Sequence, residues 1–147
     1  ELRSVEVQMA DHLGDLADRA TDATLSEAIA DHRRQTVHHR ERIDGLLNGH
    51  GVAPDLHDDA AMHGIIAEAG RWADMIAHER LKDAGLVASL QRMEHYEIAV
   101  LGTLASWARG LGLAEDAAVL SEILEQDRGA DVRFSEIAEQ VVNPAAL

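Results

Sequence analysis

Along residues 2–16 apolar side chains return every three or four positions, at Leu2, Val5, Met9, Leu13 and Leu16. That is the period of one buried helical face. Three later stretches share it, and no alternating Val/Ile/Thr run predicts a strand. The spacing predicts a second helix from about Thr24, where Thr24 and Glu27 stand at capping-box separation, to the stop at Gly49-His50-Gly51. A third is expected from about Asp83 to Arg109, ended by Gly110 and Gly112, and a fourth from about Ala114 to Val142, ended by Asn143-Pro144. Residues 51–83 hold Pro54 and a shorter amphipathic stretch marked by Met62, Ile65, Ile66, Ala69 and Trp72. The expectation is an all-α chain forming one domain over 1–147. Hairpins 1–50 and 84–143 are joined by a crossover, 51–83, carrying a short extra helix.

One long crossover is the connectivity of a ferritin-like four-helix bundle; two would give the cytokine arrangement. Helices of such a bundle bury positions spaced alternately by three and four. Those seams read Leu2, Glu6, Met9, Leu13, Leu16; Leu25, Ile29, His32, Thr36, His39, Ile43, Leu46; Val87, Leu90, Glu94, Glu97, Leu101, Leu104, Ala108; and Ala117, Leu120, Leu124, Asp127, Asp131, Phe134, Ala138, Val141. Each seam is interrupted by ionisable residues, and an unpaired buried carboxylate costs several kcal/mol.

The interruptions also repeat. Gln35 and His39 follow Glu6 at nearly the separations at which Asp127 and Asp131 follow Glu97. Residues four apart share a helix face, so the repeat makes Glu97 the counterpart of Glu6. Carboxylates with imidazole suit iron, manganese or zinc. Ferritin-like di-metal bundles use a Glu from each of two helices and Glu-x-x-His from each of the others; the spacing here is four.

Composition narrows the partners. The net charge of −14 argues against nucleic acid, and the apolar stretches are too short and too charged to span a membrane. Without cysteine, neither a disulfide framework nor a thiolate metal site is available. No signal-like apolar run follows Glu1, so a soluble, cytoplasmic chain is expected. Arg33-Arg34 and Arg40-Glu41-Arg42 read as intramolecular pairing groups, and His38, His50, His57, His63 and His78 as solvent-facing. Met9, Met62, Met75 and Met93 read as core filler.

The segments ELRSVEVQM (1–9), AIADHRRQTVHHRERIDGLL (28–47), DAAMHGIIAEA (59–69), EHYEIAVLGTLASWARGLG (94–112) and LSEILEQDRGADVRFSEIA (120–138) resemble the YciE/YciF family of bacterial and archaeal ferritin-like stress proteins. EHYEIA followed by GTL is the most specific part. The resemblance implies a four-helix bundle, a homodimer and a di-metal centre of iron or manganese. It places metal ligands at Glu6, His39, Glu97 and Asp131. Two positions depart: the family usually has Glu at the place of Gln35 and Glu-Glu at Gln126-Asp127. Asp127 and Gln35 are then weaker ligands, with Glu94 and His32 beside them and Tyr96 a donor to a ligand carboxylate. The outer side of 59–76, with Ile65, Ile66 and Trp72, is the expected dimer or bundle contact. Two functions follow from these residues. One is a metalloprotein that handles iron or manganese or reacts with O2 or peroxide. The other is a metal-free helical interaction module whose inward acids are protonated or paired with histidine.

Overall fold

The computed structural model describes residues 1–53 and 57–147; Pro54, expected in the crossover, lies outside them. The described residues form six α-helical segments: α1 (Leu2–Arg19), α2 (Ala23–Gly49), α3 (Ala60–Met75), α4 (Glu79–Gly110), α5 (Ala114–Ile137) and a final turn α6 (Asn143–Ala146). A π-helical turn, Ala138–Val142, sits between the last two. Helices α1 and α2 pack as one hairpin and α4 and α5 as the other, while α3 lies against α4 and α1.

Asp83, in the first turns of α4, accepts hydrogen bonds from Thr21 N at 2.8 Å, Thr21 Oγ1 at 2.6 Å and Asp22 N at 3.0 Å. The start of α4 is therefore tied to the α1–α2 turn, and the link carrying α3 must run the length of the bundle. This is the one-crossover connectivity expected from the sequence. A second buried acid, Asp59, accepts from Met62 N at 2.7 Å to cap α3 and from Tyr96 Oη at 2.8 Å. Tyr96 thus serves α3 rather than a carboxylate of the central layer.

Several boundaries differ from expectation. The cap of α2 is Asp22, whose side chain accepts from Leu25 N, rather than Thr24. With Asp22 N held by Asp83, the chain is already turned for helix entry there. Helix α4 begins at Glu79, capped by His78, a turn before Asp83. At the far end the rod passes Asn143-Pro144 and runs to Ala146, because Pro144 falls in the first turn of α6, where its missing N–H is not needed. The π turn adds one residue to the local spacing, so Val142, rather than Val141, reaches the core at 2% exposure.

The core has two parts. One gathers Met9, Leu13, Leu25, Ile29, Leu90, Met93 and Phe134; the other gathers Leu2, Ile43, Leu101, Leu120 and Leu124. Each of these large side chains contributes about 1.5–3 kcal/mol on burial. Along α2, α4 and α5 the residues dividing the two parts are the polar interruptions of the seams, and on α1 Glu6 directly follows Val5 near the edge of the first part. Met75 is not filler: it stands 77% exposed on α3, and Trp72 is 45% exposed, while Ile65 and Ile66 pack partly inward. The arginines pair as expected, Arg34 with Asp31 and Arg42 with Glu122.

Candidate metal centre

Glu6 from α1, His32 and His39 from α2, Glu94 and Glu97 from α4 and Asp127 from α5 meet in the layer between the two core parts. None is more than 3% exposed. Ligand atoms of Glu6, His39 and Glu97 all lie within 4.8 Å of one another, as do those of Glu94, Glu97 and Asp127. Glu97 belongs to both groups. Two donors at about 2.0–2.2 Å from one ion are at most about 4.4 Å apart. Closing either group onto a cation therefore takes side-chain shifts of at most about 0.7 Å.

The eight carboxylate oxygens of Glu6, Glu94, Glu97 and Asp127 are buried and accept no aligned hydrogen bond. The nearest compensation is the ion-pair contact of His32 Nε2 with Glu94 Oε1 at 2.7 Å. Burial would lower the basicity of His32, but the facing carboxylates of Glu94 and Glu97 outweigh it and leave it raised. This pair balances itself and leaves three acids. Burial, then the charges of Glu97 and Glu94, push Asp127 up to about 10. Burial and Glu94 push Glu97 up to about 7, against the opposing pull of Glu6 and His32. Burial and Glu97 likewise raise Glu6 well above the carboxylate range. His39 offers no counter-charge, because burial lowers it to about 4. The donor set is thus three excess acids, a neutral imidazole and Glu94, one of whose oxygens is paired with His32, a set that fits a divalent cation and otherwise holds protons.

His39 is also oriented. Its Nε2–H donates to Gln126 Oε1 at 2.8 Å. That leaves the Nδ1 lone pair towards Asp127 Oδ1 at 3.4 Å and Glu6 Oε1 at 4.0 Å. Fixing the tautomer from behind is how ligating histidines are usually held. Gln126→Ala is expected to weaken metal affinity about 10–100-fold with little change in fold, measured by competition with a chelating dye.

The structure separates two expected ligands from this set. Asp131 is displaced: its carboxylate is 3.4 Å from Gln91 Nε2 and 3.6 Å from His95 Nε2, and its side chain is 19% exposed. Four residues turn a helix by about 400°, which carries Asp131 roughly 40° past the direction of Asp127. Gln35 is half-buried beside His32, outside both groups of facing donors. The i, i+4 repeat seen in the sequence is therefore not what assembles the layer. His32 and His39 form the inward pair on α2, and Asp127 alone faces in from α5. Gln126 is marked in the sequence only as a place where the resembled family usually has Glu; it lies off the seam and reaches His39 sideways between α2 and α5.

A cavity of about 410 Å³ opens between α2 and α5 and reaches His32 and Gln126. A larger apolar cavity, about 440 Å³, lies at the bundle end among Leu46, Leu47, Leu104 and Trp107 and is lined by none of the layer's acids.

Fold and layer together define a class: a one-crossover helical bundle with buried carboxylates and imidazoles contributed by all four long helices. The chain belongs to the family described as Domain of unknown function (DUF892), whose model matches residues 1–147. It is 34% identical over 144 residues to Protein YciF of Escherichia coli K12, spanning 97% of this chain and 87% of YciF. Among solved structures, the E. coli stress protein YciF superposes with a TM-score of 0.90 at 34% identity, covering 96% of this chain and 89% of that one. YcfI from Rhodopseudomonas palustris gives 0.89 at 32% identity over 92% and 86%. The resemblance read from EHYEIA and GTL is thereby shown. Among the described residues, no helix is long and apolar enough to cross a membrane.

Proposed function

We propose that the layer holds two divalent ions, iron or manganese, with Glu97 between them, in a stress-associated protein that handles these metals or reacts with O2 or peroxide. Glu6 and His39 would complete one position and Glu94 and Asp127 the other. The carrying observation is the set of eight buried carboxylate oxygens without a hydrogen bond, a state that costs several kcal/mol unless protons or cations compensate. Iron or manganese bound there supplies one-electron chemistry towards oxygen species. The chain's own residues hold, orient and shield the site. Gln126 fixes His39, the His32–Glu94 pair neutralises itself, and the two apolar core parts exclude water. A second copy of the chain, implied by the resemblance, is assigned to the outer face of α3 around Trp72 and Met75.

The second reading is a metal-free interaction module, favoured by the raised carboxylates, which can keep their protons, and by amides at Gln35 and Gln126. Elemental analysis after chelator-free purification and anaerobic ferrous loading separates the two. Close to two ions per chain is expected for the metal reading, and fewer than about 0.2 would eliminate it.

A further inference from the structure

We propose that the cleft between α2 and α5 is the route by which a small uncharged oxidant of the hydrogen peroxide class reaches the buried layer. What the oxidant meets there rests on the metal reading above; the route itself does not.

The cleft lies between Ala28, His32 and Gln35 of α2 and Gln126, Gly129 and Ala130 of α5, and encloses about 410 Å³. It runs from solvent to His32 and Gln126 at the edge of the layer, and none of the four inward acids lines it. Gly129 and Arg133 are exposed at its mouth, while at its floor His32 is 3% exposed and Gln126 bonds to His39. At the floor His32 Nδ1 is buried and makes no well-aligned hydrogen bond, with the Gln35 amide beside the ring. Small side chains leave the gap open, and a Cβ built on Gly129 meets nothing within 4 Å.

Charge selects what enters. The chain carries −14, yet this mouth is not acidic. Among the described residues its lining holds one carboxylate, Asp31, which pairs through Oδ1 with Arg34 and through Oδ2 with Arg133 at 3.3 Å. A cation approaching here meets the Arg133 guanidinium, with Arg34 next to it on Asp31, and no free acid in the lining, a repulsive encounter. The neck is lined by the amides of Gln35 and Gln126, which both donate and accept hydrogen bonds. Peroxide does both as well. Dioxygen gains nothing from them.

Gly129→Leu places a branched side chain in the cleft at an exposed helical position where Leu is the better helix former. Gly45→Leu, equally free of neighbours, controls for the substitution itself, and Ala130→Met repeats the obstruction if Gly129→Leu misfolds. In the metal-free chain, carbethoxylation of His32 by diethyl pyrocarbonate, followed by peptide mass mapping, is expected to slow about tenfold in Gly129→Leu and to stay unchanged in Gly45→Leu. In ferrous-loaded protein, oxidation by hydrogen peroxide should slow by a similar factor, with the iron content and the rate of iron loading unaltered. Unchanged labelling and peroxide rates in a folded, obstructed variant would overturn the route. Iron loading slowed as much as peroxide oxidation would overturn the choice of an uncharged oxidant. Failure of every form to take up iron refutes the metal reading alone, and the labelling rate of His32 still decides the route.

Discussion

Glu97→Gln is expected to remove metal binding and at the same time make the metal-free protein more stable. Glu97 is the residue common to both groups of donors. An amide oxygen in its place loses the charge that two cations would share. Affinity should fall on the order of 100-fold or more, the upper end of what loss of a mere supporting partner costs. Without metal the sign reverses. Glu97 is 1% exposed beside Glu6, Glu94 and Asp127, so neutralising it relieves repulsion and desolvation worth about 1–3 kcal/mol. Urea unfolding with and without manganese reads both effects. A variant that binds metal normally, or that is less stable than the parent in chelator, would contradict the role assigned to Glu97.

The second large effect is the pH dependence of the metal-free fold. In the folded chain Glu97 keeps its proton from its ordinary 4.5 up to about 7, and Asp127 from 3.8 up to about 10. Glu6 is raised in the same direction. Over those windows the folded state binds more protons than the unfolded one, so stability is fullest in acid and falls as pH rises. His32, raised by its carboxylate neighbours, adds to the fall. His39 opposes it between about 4 and its ordinary 6.5, where only the unfolded chain takes up the proton. Above pH 6.5 that opposition ends and the fall stands alone. Calorimetry in chelator should therefore show Tm dropping between pH 6.5 and 9, by an amount corresponding to several kcal/mol. Manganese should restore it most at the alkaline end, because the cation replaces the protons. A flat profile, with no response to metal, would mean the acids are compensated in some other way.

The residues show which features a sequence carries. The three-and-four spacing located the buried faces, including Glu6, Glu94, Glu97, His32, His39 and Asp127, all at or below 3% exposure. Burial of a helical face is a local, periodic property. What escaped is set by contacts distant in sequence. Asp22 caps α2 because Asp83, far along the chain, holds its N–H. Gln126 bonds His39 across two hairpins. Asp131 fits a seam drawn on paper, yet rotates onto the α4 side beside Gln91 and His95. The π turn before Asn143 has no sequence mark of its own, and it alone exchanges Val141 for Val142 in the core. Asp83 stands at an expected helix start and Asp59 carries no mark of its own in the sequence; both are buried, and their bonds to Thr21 and Tyr96 appear only once the helices are assembled.

Everything functional proposed here depends on one physical statement: acids drawn from separate helices into a buried layer would be held there by cations. Anomalous diffraction from crystals grown with manganese locates those cations without reference to activity. Two peaks are predicted on either side of the Glu97 carboxylate, one against Glu6 and His39 and the other against Glu94 and Asp127. A well-ordered layer with no anomalous peak, in protein exposed to excess manganese at neutral pH, would contradict the account.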